Sequence, residues 1–207
     1  MKRENGVSRE ISYGQGYPLT VLDRAGVWLN ARRIRREVGG VAGKRVADLG
    51  CGFNAVFARS ILDEVTHATL VDLHVADDLK RDPRVTAIEG PLPDVLERVE
   101  SQSLDLVVCN NVLEHLWEPV VALKHVRRVL REGGTAYVNV PSWLGKTALE
   151  LAAFRLGLTS AVEVDDHKAY YSRQDLWRLV ISSGFKPSRV ECHTHKLGLN
   201  TFAVCTM

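Results

Sequence analysis

A chain of 207 residues, 45% hydrophobic and 25% charged, is long enough for one globular domain with a full core. Its 27 Lys and Arg against 25 Asp and Glu leave a formal charge of +2, which disfavours nucleic acid as a partner without excluding it. No apolar run approaches the ~18 residues of a bilayer span, no signal-like apolar core follows the basic N-terminus, and the four cysteines (Cys51, Cys109, Cys192, Cys205) form no CxxC pair, so free thiols, a cytoplasmic setting and no membrane are expected.

In chain order, Met1 to about Gly16 is polar and loosely held, with Tyr13, Gly14, Gly16, Tyr17 and Pro18 available as a flap. Leu19 to Val38 has helical spacing, Arg32, Arg33, Arg35 and Arg36 crowd its end, and Gly39-Gly40 stops it. The basic cluster reads as a solvated helix end, with a phosphate-bearing partner as the sharper alternative. A strand over about Arg45 to Leu49 follows and breaks into Gly50-Cys51-Gly52-Phe53-Asn54-Ala55, after which helical spacing resumes with Asn54 as the expected N-cap. A strand, a glycine turn and a helix start are half of a nucleotide-binding βαβ unit. Gly50 lets the chain turn, and Gly52 removes a Cβ where a ligand would touch backbone. Read loosely, the turn fits the dinucleotide fingerprint. Asp48, two residues before the first glycine, is awkward beside a pyrophosphate and suits a ligand with an ammonium group.

Val46-Ala47-Asp48-Leu49-Gly50-Cys51-Gly52 resembles motif I of the class I S-adenosylmethionine-dependent methyltransferases. The resemblance runs from about Val41 to Thr206 and implies S-adenosyl-L-methionine as cofactor. It also implies a Rossmann-like doubly wound α/β fold: seven strands, the last antiparallel, with helices on both faces. By that resemblance Gly50, Cys51 and Gly52 face the methionine part with Asp48 nearby, and Tyr13 or Tyr17 covers the cofactor.

A second strand, about Ala68 to Asp72, ends 24 residues after Asp48, the length of a helix and a return strand. Asp72 at its tip can accept both ribose hydroxyls or cap the segment after it; the resemblance implies the ribose role, with Leu73 flanking the adenine. A third strand, Val85 to Ile88, precedes Gly90-Pro91-Leu92-Pro93. Pro91 stands where the family usually has an acid, leaving backbone groups and the apolar wall of Leu92 for the adenine. Asp94 should cap the next helix.

The fourth strand, Leu104 to Cys109, reads as buried on both faces. Asn110-Asn111-Val112-Leu113-Glu114-His115-Leu116 after it resembles the family's segment at this point. Asn110 and Asn111 lie at the carboxyl edge, where ligands bind in open α/β sheets. His115 is either a general base at the mouth of the site or a loop scaffold. Glu118-Pro119 opens a helix through Leu130 that Gly133-Gly134 ends, and a fifth strand spans Thr135 to Val140.

Leu149 to Leu158 is an apolar helical piece beyond the minimal fold, followed by Asp165-Asp166-His167-Lys168-Ala169-Tyr170-Tyr171. It reads equally as a substrate lid or as a dimerisation helix. His167, Tyr170 and Tyr171 are the side chains best suited to touch a substrate. Ser172 should cap the last helix, which ends at Ser183-Gly184. Strands over Ser188 to His195 and Asn200 to Thr206 close the chain as a hairpin. His193 and His195 share a face but are too few for a metal, and no metal site is expected.

The chain therefore divides into a flap and helix over 1–40 and a methyltransferase domain over 41–207, with a lid insertion at about 142–171. Its cofactor residues are Asp48, Gly50, Cys51, Gly52, Asp72, Leu73, Leu92, Asn110 and Asn111. Its catalytic candidates are His115, His167 and Tyr171. The expected partner is a small-molecule acceptor, with a homodimer possible. A nicotinamide-dependent oxidoreductase and a non-catalytic cofactor-binding domain are the competing readings.

Overall fold

The computed structural model describes residues 11–16, 20–156 and 164–207. The flap residues Tyr17 and Pro18, the first residue of the expected N-terminal helix and the end of the expected apolar helix at 157–158 lie outside the described residues. Seven strands form one sheet: β1 Arg45–Leu49, β2 His67–Asp72, β3 Val85–Glu89, β4 Leu104–Asn110, β5 Leu130–Pro141, β6 Val190–His195 and β7 Asn200–Thr206. Their order is β3-β2-β1-β4-β5-β7-β6, parallel from β3 to β5. β7 inserts antiparallel between β5 and β6.

The helices are α1 Val21–Glu37, α2 Val56–Arg59, α3 Asp77–Lys80, α4 Pro119–Val129, α5 Trp143–Glu150 and α6 Arg173–Ser182, with α5 running on as wider turns over Leu151–Arg155. Side chains alternate across a strand, so each central strand feeds two cores. Ala47, Leu49 and Val107 face Leu123 and Val126 of α4 and Leu176 and Val180 of α6. Val46, Leu106 and Val108 face Ile34 of α1, Phe57 of α2 and Leu79 of α3, with Tyr137 and Phe202 in the same core.

The basic end of α1 is tied down as packing. Arg35 reaches Glu64 and the Ser60 carbonyl, Arg33 pairs with Glu37 and lies over the Phe202 ring, and Arg32 covers Trp28. The four cysteines are free.

Several boundaries move for identifiable reasons. Ser172 caps α6 as expected, completing a reciprocal box with Asp175. Asn54 does not cap α2. Ala55 intervenes with φ +40° and takes the N-cap position, with no side-chain cap hydrogen bond. Asp94 begins its 3-10 turn (Asp94–Arg98) instead of capping it. α4 ends at Val129, before Gly133-Gly134, because Leu130 already pairs with Leu104. The glycines turn within a bulge that resumes pairing at Thr135 with Leu106. The apolar helix begins at Trp143, six residues earlier than the apolar spacing indicated, because Ser142 caps it by accepting from the Gly145 N–H.

Candidate cofactor and acceptor site

The connections of β1 and β4 leave in opposite directions, so a crevice opens above their carboxyl ends. The glycine turn forms one wall. Gly50 has φ +64° and donates to Val71 O at 2.7 Å. Gly52 has φ +72°, and its N–H donates to Asp72 Oδ2 at 2.7 Å. Asp72 Oδ1 accepts from the Leu73 N–H at 2.8 Å. The buried Ser12 hydroxyl lies 2.5 Å from the same oxygen and accepts from the His74 N–H. Tyr13 O accepts from the Phe53 N–H at 2.9 Å, so residues 12–13 sit directly on the turn. Ser12 carried no motif, and only its packing reveals it.

Asp48 lies beneath the turn, 5% exposed. Burial pushes its carboxyl up to about 8, the Asp72 charge adds to this, and the Ala58 N–H opposes it. Among the described residues its Oδ2 has no hydrogen-bond partner. The folded protein then holds a proton at Asp48 that the unfolded chain releases near pH 4. Stability is fully present below that value and falls as pH rises through about 8. Asp48→Asn should flatten this slope and raise the melting temperature most above pH 8. Thermal melts across pH check this, and a mutant slope parallel to the native one contradicts the protonated reading. Burial, then the Asp48 and Asp72 charges, raise the Cys51 thiol as well, so it stays protonated. Leu92 packs half-buried against the α4 side of the core.

Asn110 and Asn111 meet through a residue that sequence reasoning missed. Asn139 on β5, fully buried, donates from Nδ2 to Asn110 Oδ1 at 3.0 Å and to Asn111 Oδ1 at 2.9 Å. Asn200 on β7 reaches Asn111 Oδ1 at 3.4 Å, and Asn111 has φ +57°. Asn139 registers with Asn110 across β4 and β5, a pairing legible only once the strand register is known.

The catalytic candidates separate. His115 Nδ1 lies 2.9 Å from Asp166 Oδ2, and Lys168 Nζ pairs with the other oxygen of that carboxylate. Burial works against the Asp166 charge, but the bonds from His115 and Lys168 outweigh it and hold the carboxyl down to about 2. His167 packs edge-on to His115, with ring centroids 4.7 Å apart, and its Nδ1 lies 3.0 Å from the Tyr170 hydroxyl. Tyr171 is placed apart from this pair. It is buried, its hydroxyl donates to Leu113 O and its carbonyl accepts from Thr201 Oγ1, and burial pushes the phenol up to about 12. It ties the segment after α5 to β7.

A family model for a methyltransferase domain matches residues 24–189. The ubiquinone biosynthesis O-methyltransferase of Aeromonas salmonicida is 24% identical over 165 residues, covering 73% of this chain and 66% of that protein. The chain spans half to just under two thirds of the length of the ubiquinone biosynthesis O-methyltransferases it matches. Among solved structures, a putative methyltransferase of Haloferax volcanii in complex with the Trm112 activator superposes with a TM-score of 0.66 at 14% identity, covering 88% of this chain and 91% of that one. A putative O-methyltransferase of Nostoc punctiforme gives 0.65 at 18%, covering 90% and 58%. These two likenesses speak for the fold. The sequence match across most of the domain speaks for kinship, and the chain belongs to the methyltransferase domain family, among the class I S-adenosylmethionine-dependent methyltransferases.

Proposed function

We propose that the protein binds S-adenosyl-L-methionine and methylates a hydroxyl of a small-molecule acceptor. The observation that carries the cofactor reading is the Asp72 carboxylate. It stands at the tip of β2, one oxygen on the Gly52 N–H, beside a turn made by two glycines of positive φ. The buried Asp48 carboxyl below this turn, protonated on its own, would be drawn to its ionised form by a ligand's ammonium group and not by a diphosphate, which favours a ligand with a positive end. When bound, the cofactor supplies a methyl group on a cationic sulfur with its leaving group built in.

The chain's own task is then mostly positioning, which can contribute roughly 7–11 kcal/mol toward such a barrier. Asp72 holds the ribose, with Ser12 yielding or sharing one oxygen. Gly50, Cys51 and Gly52 present backbone to the methionine part, with Asp48 beneath them. Leu73 and Leu92 flank the adenine, and Asn110 and Asn111, fixed by Asn139, line the transfer end. The segment 142–171 serves as a lid, with Trp143, Leu144, Leu151 and Phe154 presenting exposed apolar side chains. Oxygen is favoured as the methylated atom by the likeness to the Aeromonas O-methyltransferase. It is also favoured by the His115–Asp166 pair, polar machinery suited to an acceptor that must lose a proton.

Titration calorimetry should give heat with S-adenosylmethionine and none with NAD. The reverse result rejects the reading. Methyl-tritiated cofactor offered with a panel of phenols, amines and thiols should label the phenols. Label confined to amines or thiols rejects the hydroxyl assignment.

A further inference from the structure

The basic residues of α4 gather at the edge of the sheet opposite the cofactor crevice. α4 starts beyond the carboxyl end of β4 and runs back to the amino edge, where Leu130 pairs with Leu104. Its later turns carry Lys124, Arg127 and Arg128 toward the amino ends of β4 and β5. A cavity of about 500 Å³ opens there between α4, residues 101–102 and Met207. The three cations line it beside Ser101, and Glu132 is the one acidic side chain among the lining residues.

Most cations on this side of the protein are already engaged. Arg128 is built into the wall: Nη1 donates to Val99 O at 2.9 Å and to Ser101 Oγ at 2.7 Å, and Nη2 donates to Leu96 O at 2.8 Å. Arg131 pairs with Asp105. Lys124 and Arg127 differ, because among the described residues neither has a hydrogen bond or an ion pair. Arg127 is held by packing instead. Its side chain lies along Gly184, with Cδ 3.5 Å from where a Cβ would stand. The helix dipole favours cations in the last turn only, and Lys124 lies before it. Lys124 also stands three and four residues from Arg127 and Arg128, so like charges meet on one face, which destabilises the helix unless an anion offsets it.

We infer that this cavity binds the diphosphate group of a small molecule. Three cations against one acid leave a formal side-chain charge of +2 around it. A diphosphate brings at least two negative charges on adjacent phosphorus atoms, and Lys124 and Arg127 are neighbours on the helix surface. Arginine can grip two phosphate oxygens at once, and lysine adds a point charge. The volume falls within the ~300–1,000 Å³ of small-molecule sites, with room for more than the diphosphate itself. The site stands apart from methyl transfer, because the length of β4, roughly 20 Å, separates the two edges.

The test is titration calorimetry on the full chain at low ionic strength. S-adenosylhomocysteine saturates the cofactor crevice, so that an adenine nucleotide cannot report from there. Pyrophosphate and ADP are the probes, with inorganic phosphate for comparison. One site per chain is expected, at least about tenfold tighter for the diphosphates than for inorganic phosphate. Lys124→Gln and Arg127→Gln, both at exposed positions, should each weaken it about tenfold, the loss of one charge-assisted contact. Arg131→Gln removes a nearby charge that Asp105 already engages, and should leave binding unchanged. ADP tighter than pyrophosphate assigns a nucleotide as the source, and equal affinity assigns the free diphosphate. The inference is overturned by no heat from either probe, by inorganic phosphate binding as tightly, or by equal weakening in Arg131→Gln and Arg127→Gln. Binding of a single-stranded RNA oligomer where both probes fail overturns it too, and makes the surface a nucleic-acid face. The pyrophosphate titration needs no cofactor, so its outcome is independent of the methyltransferase reading.

Discussion

Replacing Asp72 with alanine should weaken S-adenosylmethionine binding at least about tenfold, and up to about a hundredfold. The range follows from ~1.5–3 kcal/mol for hydrogen bonds to a charged acceptor, at ~1.4 kcal/mol per tenfold. The carboxylate has two tasks, since it also fixes the glycine turn through the Gly52 N–H. Asp72→Asn separates them. An amide oxygen can keep the turn, but the side chain loses its charge and half its acceptor capacity, so its affinity should fall between native and alanine. Ser12→Ala is the internal control. It removes the chain's own hydroxyl from Asp72 Oδ1 without touching the carboxylate, so it should cost far less than Asp72→Ala. Calorimetry on the three variants decides the matter. Native-like affinity in Asp72→Ala removes this residue from the cofactor site, whatever the fate of the family assignment.

The second large effect is expected in stability, at Gly145. A Cβ built there would lie 2.1 Å from the Leu199 carbonyl oxygen, which is backbone and cannot rotate away. The same contact region carries the start of α5. The Ser142 N–H donates to Leu199 O at 3.0 Å, and Ser142 Oγ donates to Gly198 O at 2.6 Å. Gly145→Ala forces α5 off the link between β6 and β7. Overpacking costs ~1–3 kcal/mol and each strained hydrogen bond ~1 kcal/mol, so about 3 kcal/mol is expected. For a chain of this size that lowers the melting temperature by roughly 6–12 °C. Gly133→Ala is the comparison: φ there is +74°, but nothing lies within 4 Å of the added carbon, so only backbone strain of about 1 kcal/mol remains. If the two variants melt together, the close approach of α5 to the hairpin is wrong.

The residues that announced themselves in sequence did so through local physics. Asp48, Gly50 and Gly52 were legible because a buried strand that stops on two glycines, with an acid inside its end, has few other uses. Asp72 was legible because one helix and one return strand fix its distance from Asp48. Ser172 was legible as a cap because a helix start needs a side-chain acceptor. Asn54 met the same rule and did not cap, because Ala55, with φ +40°, takes the N-cap position after it.

The rest of the site was hidden because its partners lie far apart in the chain. Asn139 becomes a partner of Asn110 and Asn111 only through the β4–β5 register. Ser12 reaches Asp72 across sixty residues. Glu114, His115 and His167 come together where the turn after β4 meets residues 166–168, through the Lys168 N–H on the Glu114 carbonyl and His115 on Asp166.

By itself the sequence determined the alternation of strands and helices, the glycine turn and the two acids at the strand tips. Periodicity, turn chemistry and capping act over a few residues and leave their mark in order. The tertiary structure alone decided which polar groups meet at the carboxyl edge and which glycine is crowded by a distant carbonyl. Those outcomes depend on register and on packing between segments 28 to 60 residues apart, where chain order carries no distance.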